Sequence, residues 1–261
     1  MSFRQKLANI PFIRRSVIGA LKFFGRDITI ANGWTGDRIR LNTYLHKGYW
    51  FFGKSREAET MHAFERLVRA GDTVIEVGGH IGYIAQYLSK LIGPDGRLIV
   101  FEPGWNNLRY IEENLRGFAN TTLERLAVGS SNGCATFYED NLSGQNNSLL
   151  GDYKRADSVS KAAGQELVRT PRTVQVVTLD TYVASTAVQP DFMKIDVEGF
   201  ELEVLQGSLH TLQKVRAFVV EVTERHDDVG ALILAAGFRM KDAAGNCIDR
   251  IETSGNIFAE R

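Results

Sequence analysis

The sequence predicts an α/β fold: a mostly parallel sheet with helices on both faces. Two observations carry this. From Thr73 onward, short runs of β-branched and apolar residues alternate with stretches of helical periodicity. Glycine or proline punctuates most of the junctions. No internal repeat or composition break marks a separate second domain, and 261 residues suffice for one α/β core with an extension.

The elements follow in order. Residues 1–55 read as an amino-terminal extension and 56–261 as the main domain. Residues 1–26 carry Arg4, Lys6, Arg14, Arg15, Lys22 and Arg26 and no acid, with Phe12, Ile13, Val17, Ile18, Leu21 and Phe24 between them. Pro11 suits the first turn of such a helix. A basic amphipathic helix of this kind can make peripheral contact with an anionic membrane; packing on the main domain with its charges in water is the competing reading. Thr29 to Leu45 reads as a hairpin turning at Asn32-Gly33 or Gly36-Asp37. Tyr49-Trp-Phe-Phe52 reads as core or lid packing. Met61, Phe64, Leu67 and Val68 share one helical face, which ends at Gly71-Asp72.

Thr73 to Val77 is a short buried strand, and Ile81, Ile84, Ala85 and Leu88 begin a helix that stops at Gly93-Pro94. Arg97 to Phe101 is a strand. Trp105, Leu108, Ile111 and Leu115 mark a helix. Thr121 to Val128 and Gly133 to Tyr138 read as a third and fourth strand. Residues 139–172, rich in Asn, Ser, Gly, Lys and Asp, read as a long loop or lid. Thr173 to Val177 is a strand, Leu179 to Ala184 a short helix, and Phe192 to Val197 a buried strand. Leu202, Leu205 and Leu209 continue as a helix. Ala217 to Thr223 is a strand and Val229 to Ala236 a helix. Phe238 to Asp242 and Asn256 to Phe258 close the sheet as an antiparallel pair.

Lys plus Arg and Asp plus Glu number 31 each, so net charge does not favour a nucleic-acid partner. Cys134 and Cys247 lie far apart without zinc spacing. Such sparse cysteine suits a cytoplasmic protein. No apolar run is long enough to span a bilayer.

The stretch richest in chemistry is Thr73-Val-Ile-Glu-Val-Gly-Gly-His-Ile-Gly-Tyr83. Strand, glycine turn and helix follow one another, so free backbone N–H groups are expected at the helix start. The spacing lacks the third glycine of the dinucleotide fingerprint. It has Glu76 before the turn instead, and a second acid, Glu102, one strand later. An acid there can accept from two ribose hydroxyls. Glu76 could hold the amino group of an amino-acid-like cofactor. The pair suggests S-adenosylmethionine rather than a nicotinamide.

With Glu76-Val-Gly-Gly-His-Ile-Gly-Tyr83, Phe101-Glu-Pro103, Asn114-Leu115, Ala127-Val-Gly129, Val177-Thr-Leu-Asp180 and Lys194-Ile-Asp-Val-Glu-Gly199 in place, the chain resembles the FkbM family of S-adenosylmethionine-dependent methyltransferases. The Asn147-Ser148 pair also looks like the family. Glu76 and Gly79-His80 depart from it, where Asp and Ala-Asn are more usual. The resemblance implies a class I methyltransferase (Rossmann-like) sheet of seven mostly parallel strands with a reversed last strand. It implies methyl transfer to oxygen, often a hydroxyl of a sugar, glycan or other small metabolite. Glu76, Gly78, Gly79, His80, Gly82, Tyr83, Glu102 and Asp196 are the expected cofactor residues, with Ala127 at the adenine edge.

A hydroxyl acceptor needs its proton removed. Asp196 and Glu198, two apart at a strand tip, are the leading candidates, and His226 after the next strand is a further one. The structural alternatives are that Asp196 accepts backbone amides, that Glu198 caps a helix and that His226 is itself a cap. Lys194 could pair with Asp196. A divalent metal could also lower the hydroxyl pKa, but no ligand spacing supports one. An NAD(P)-dependent oxidoreductase with a variant glycine turn is the competing enzyme class, and a non-catalytic cofactor-binding module the competing non-enzyme.

Overall fold

Thr73–Val77 (β3) lies inside the sheet because four of its five residues are buried and none interrupts the ladder. The computed structural model of the chain describes residues 19–153, 157, 158, 160 and 166–261. Two compact units divide it, Met1–Ala58 and Glu59–Arg261. Most of the expected basic helix at 1–26 falls on residues 1–18, outside the described residues.

In the first unit, Asp27–Ala31 (β1) and Arg38–Asn42 (β2) form an antiparallel hairpin. Its turn spans both expected positions: the Asn32 N–H donates to the Asp37 carbonyl at 2.8 Å, and Gly36 takes a left-handed φ of 76°. Lys47–Phe52 (α1) carries the aromatic run. Tyr49 is buried beneath the Arg56 guanidinium, 4.2 Å from the ring centroid, while Phe52 is exposed.

The second unit holds the remaining elements. They are Ala58–Leu67 (α2), β3, Tyr83–Ile92 (α3), Arg97–Phe101 (β4), Trp105–Asn114 (α4), Thr121–Glu124 (β5), Ala127–Val128 (β6), Gly133–Asp140 (β7) and Arg169–Val177 (β8). Leu179–Thr186 (α5), Phe192–Ile195 (β9), Glu201–Gln206 (α6), Leu209–Leu212 (α7), Ala217–Val222 (β10) and His226–Ala235 (α8) follow. Arg239–Lys241 (β11), Cys247–Ile248 (β12) and Gly255–Glu260 (β13) close the chain.

The main sheet runs β12-β11-β13-β10-β9-β3-β4-β5. It is the expected seven-stranded sheet with the two-residue β12 added at one edge. β5, β4, β3, β9 and β10 are parallel neighbours, and β13 runs against β10. Alternate residues face opposite sides. Ile75, Val77, Ile99, Phe101, Met193, Ile195, Phe218 and Val220 pack with Leu179, Val183, Leu202, Leu205, Val229 and Ile233 of the helices. Each such side chain contributes about 1.5–3 kcal/mol by leaving water. The other face carries Phe64 of α2 against Phe192, ring centroids 5.8 Å apart.

Two strands differ from expectation. Thr121 to Val128 is not one strand. β5 stops at Glu124, opposite Phe101, because β4 ends there and offers no further partner. Ala127 and Val128 leave for a second sheet, β6-β8-β7. Gly133 to Asp140 joins that sheet antiparallel to β8 rather than extending the parallel ladder. The short connection 129–132 cannot make a parallel crossover, which needs a dozen or more residues. The ends of the expected 139–172 loop are therefore strand: Glu139 and Asp140 pair with Thr170 and Arg169.

At the amino ends of β3, β9 and β10 one cation ties three segments. Arg216 Nη2 donates to Asp72 Oδ2 at 2.8 Å and to the Leu67 carbonyl at 3.2 Å, while Nη1 lies 3.3 Å from Asp191 Oδ1. Asp191 Oδ2 accepts from the Thr73 N–H at 2.9 Å. Arg216→Met leaves Asp72 buried without its counterion, holding only the Arg69 N–H among the described residues. A loss of about 2–3 kcal/mol is expected in urea denaturation, with ligand affinity at the far end of the strands unchanged.

Candidate functional site

Strand register gathers the charged residues. Glu76 stands opposite Lys194 on β9 and Val100 on β4, and Lys194 stands opposite Val219 on β10. Two residues further on, the same face brings Glu102, Asp196 and Glu221 beyond or near the strand ends. Four neighbouring strands thus deliver their ionisable residues to one place at the carboxyl edge, where open α/β sheets bind ligands.

Glu76 is fully buried, and neither carboxylate oxygen has a hydrogen-bond partner among the described residues. Its counterion is Lys194, with Nζ 3.6 Å from Oε1. Burial pushes the Glu76 carboxyl up to about 7, and Lys194 offsets only part of that. Such an orphaned buried carboxylate fits a cationic ligand group. Lys194 Nζ also donates to Asp196 Oδ2 at 3.1 Å and to the Gly78 carbonyl at 3.2 Å. Burial alone would lower the Lys194 pKa; Asp196 and Glu76 outweigh it and hold the ammonium charged.

The glycine turn differs from expectation in how it is used. The Gly78 and Gly79 N–H groups both donate to the Phe101 carbonyl, at 3.0 and 3.1 Å, and Gly82 N–H donates to the Gly79 carbonyl at 2.8 Å. His80 N–H donates to Glu102 Oε2 at 2.7 Å. These amides are engaged within the protein rather than free. The missing Cβ atoms also serve packing: one at Gly78 would collide with the Asp196 carbonyl, and one at Gly79 with Val100. His80 holds a left-handed φ of 49°, and its ring Nε2 lies 2.9 Å from the Ser143 carbonyl. Tyr83 opens α3 and is buried.

Glu102 is 3% exposed and its oxygens are already in use. Oε2 accepts from His80 N–H; Oε1 accepts from Gly104 N–H at 2.8 Å and from Asn107 Nδ2 at 3.3 Å. A carboxylate offers about four lone-pair sites, so a bidentate ribose contact needs one of these bonds to yield. Burial raises the Glu102 carboxyl to about 7, against the Gly104 and His80 amides. Ala127 lies just past the carboxyl end of β5, buried and paired with Val176.

Asp196 is half-buried at the edge of the sheet. Its side chain is 28% exposed, Oδ2 is held by Lys194, and Oδ1 has no hydrogen bond among the described residues. The backbone-amide role considered for it is not what the side chain does. Glu198 has a strained left-handed backbone, φ 52°, and its carboxylate accepts from the Tyr153 hydroxyl. Glu198 does not cap α6: Phe200 stands at that position, and the Gly199 N–H goes to Glu201 Oε1 at 2.7 Å. His226 opens α8 with Nε2 3.2 Å from Ser254 Oγ. No hydrogen bond or ion pair among the described residues links it to Glu76, Lys194 or Asp196.

The sequence alone did not single out the loop's organiser. Asp140 Oδ1 accepts from the N–H groups of Leu142, Ser143 and Gly144 at 2.6, 2.7 and 3.0 Å, and Oδ2 accepts from Asn146 at 2.8 Å. Asn147 bridges the Asp140 N–H and Asn106. The Gly144 carbonyl takes a bond from Asn107, and Ser148 Oγ donates to the Glu198 carbonyl at 2.7 Å. One loop therefore touches both the glycine turn, at His80, and the backbone of Glu198. Its Asn/Ser composition and the Asn147-Ser148 pair were its marks in the sequence.

Glu201, at the start of α6, is 1% exposed and accepts from Gly199 N–H and Thr223 Oγ1. Burial raises it to about 7. An acid whose folded pKa exceeds its unfolded value binds more protons when folded, so its stabilisation is full below about 4.5 and is lost as pH rises through about 7. Glu201→Gln keeps the Gly199 bond. Its melting temperature should match the parent at pH 4.5 and exceed it at pH 8, by about 1–3 kcal/mol of stability.

Residues 76–240 match the model of the methyltransferase FkbM domain. A hexuronic acid methyltransferase, AglP of Haloferax volcanii, is 28% identical over 153 residues, covering 58% of this chain and 56% of that protein. The chain thus spans about half the length of this curated relative. Among solved structures it is similar to Aeropyrum pernix fibrillarin with natively bound S-adenosyl-L-methionine, at 13% identity and TM-score 0.47, covering 89% of this chain and 88% of that one. It is also similar to precorrin-6y C5,15-methyltransferase of Geobacter metallireducens, at 12% identity and TM-score 0.44, covering 78% and 89%. The nicotinamide reading finds no support in these matches. The chain belongs to the FkbM family of S-adenosylmethionine-dependent methyltransferases.

Proposed function

We propose that this protein transfers a methyl group from S-adenosylmethionine to a hydroxyl oxygen of a sugar or glycan. The observation that carries the reading is the buried Glu76 carboxylate, without hydrogen bonds among the described residues, beside a partly exposed Asp196 at the same sheet edge. When bound, the cofactor supplies an activated methyl on a sulfonium. Glu76 would hold its amino group, and Glu102 its ribose through a remaining lone pair. Asp196 Oδ1, the oxygen not taken by Lys194, would accept the acceptor's proton. The Leu142–Ser148 loop, fixed by Asp140, would orient the acceptor and limit water.

The sugar class is suggested by the name of the Haloferax relative, a hexuronic acid methyltransferase. The test is incubation with S-adenosylmethionine and a panel of neutral sugars, uronic acids and glycans, read by mass gain of one methyl. A product stable to mild base is the expected ether. A base-labile ester would mean that the acceptor is a carboxylate and that no base is needed.

The basic segment 1–26 supports a peripheral contact with anionic membrane, which flotation of the full chain against a chain beginning at residue 27 would test. No helix among the described residues is long and apolar enough to cross a membrane.

A further inference from the structure

Lys194 is a buried lysine in an otherwise apolar strand, 5% exposed. A lysine ammonium has three donors. Two are spent on Asp196 Oδ2 and the Gly78 carbonyl, and the third side faces Glu76 Oε1 at 3.6 Å, too far for a hydrogen bond. The ammonium therefore leans toward Asp196 and compensates Glu76 only through space. Among the described residues the other charged groups facing the cluster are acids: Glu102 from beyond β4 toward Glu76, Glu221 from β10 toward Lys194, and Glu201 from α6 toward Asp196. One cation is divided among several carboxylates.

We infer that Lys194 is a positioning residue shared by both halves of the site, keeping Glu76 ionised for the donor's amino group while fixing Asp196 so that Oδ1 faces the acceptor. The inference rests on the proposed methyl transfer, since it assigns Glu76 to the donor and Asp196 to the acceptor. It makes the two sides electrostatically dependent. Without the Lys194 charge, Glu76 is a buried acid among acids and takes up a proton more readily. With Asp196 neutral, a repelling charge is gone and Lys194 is free to close on Glu76, which then stays ionised to lower pH.

S-adenosylhomocysteine binding, measured by calorimetry from pH 5.5 to 8.5, separates these effects from simple loss of structure. The ligand's own amino group titrates alike for every variant. In the parent protein, affinity should fall about tenfold per pH unit below the Glu76 midpoint. Lys194→Met should move that midpoint up by at least one unit, with affinities converging toward pH 8.5. Asp196→Asn should move it down. Circular dichroism and thermal melts confirm folding of each variant. If Lys194→Met does not fold, Asp196→Asn decides alone: a lowered midpoint supports the inference. An unchanged midpoint in the folded variants, or shifts of both in the same direction, overturns it while leaving the methyltransferase reading intact. No binding by the parent protein at any pH overturns both.

Discussion

Replacing Glu76 by Gln is expected to weaken S-adenosylhomocysteine binding by about 10²–10³-fold, the cost of removing one partner of a buried charge pair. The fold should survive. The carboxylate lies in a fully buried strand position, with neither oxygen hydrogen-bonded among the described residues and burial pressing it toward the neutral form. A neutral amide of similar shape therefore costs the apo protein little, and Lys194 keeps its bonds to Asp196 and Gly78. Thermal melts at pH 8 should show the variant no less stable than the parent. Calorimetric titration should show a much weaker ligand. Retained affinity would mean that the donor's amino group is held elsewhere.

Asp196→Asn should divide the kinetics differently. Turnover is expected to fall by about 10²–10⁴-fold, the range for a lost general base, while donor affinity at pH 8 stays within a few-fold. The geometry behind this is the asymmetry of the carboxylate: Oδ2 is held by Lys194 at 3.1 Å, and the side chain is partly exposed. The amide cannot take a proton from the acceptor. Single-turnover measurement of methyl transfer against acceptor concentration separates a loss in the chemical step from a loss in binding. Parallel losses in turnover and donor affinity would make Asp196 a wall of the pocket rather than a base.

The sheet was legible because its signals are local. Thr73–Val77 and Arg97–Phe101 have the bounds read from their β-branched runs, and the helix between them follows apolar periodicity. Residues 121–140 were less so. Whether a run such as Thr121–Val128 stays in one sheet depends on where its neighbour ends, and β4 ends opposite Glu124. The charged cluster was half visible. Glu76, Glu102 and Asp196 stood out as acids at strand tips, but Lys194 became central only when register set it beside Glu76. The glycines stood out as ligand-facing, yet Gly78 and Gly79 are required by the Asp196 carbonyl and the Val100 side chain. Asp140 left no mark in sequence, since a carboxylate that gathers four loop amides looks like any surface acid until the loop is folded.

A crystal structure with S-adenosylhomocysteine bound is the decisive measurement. The ligand's amino group is expected within about 3 Å of Glu76, its sulfur turned toward Asp196 and its adenine near Ala127. A ligand whose amino group lies away from Glu76, with that carboxylate still unpartnered, would contradict the role proposed for Glu76.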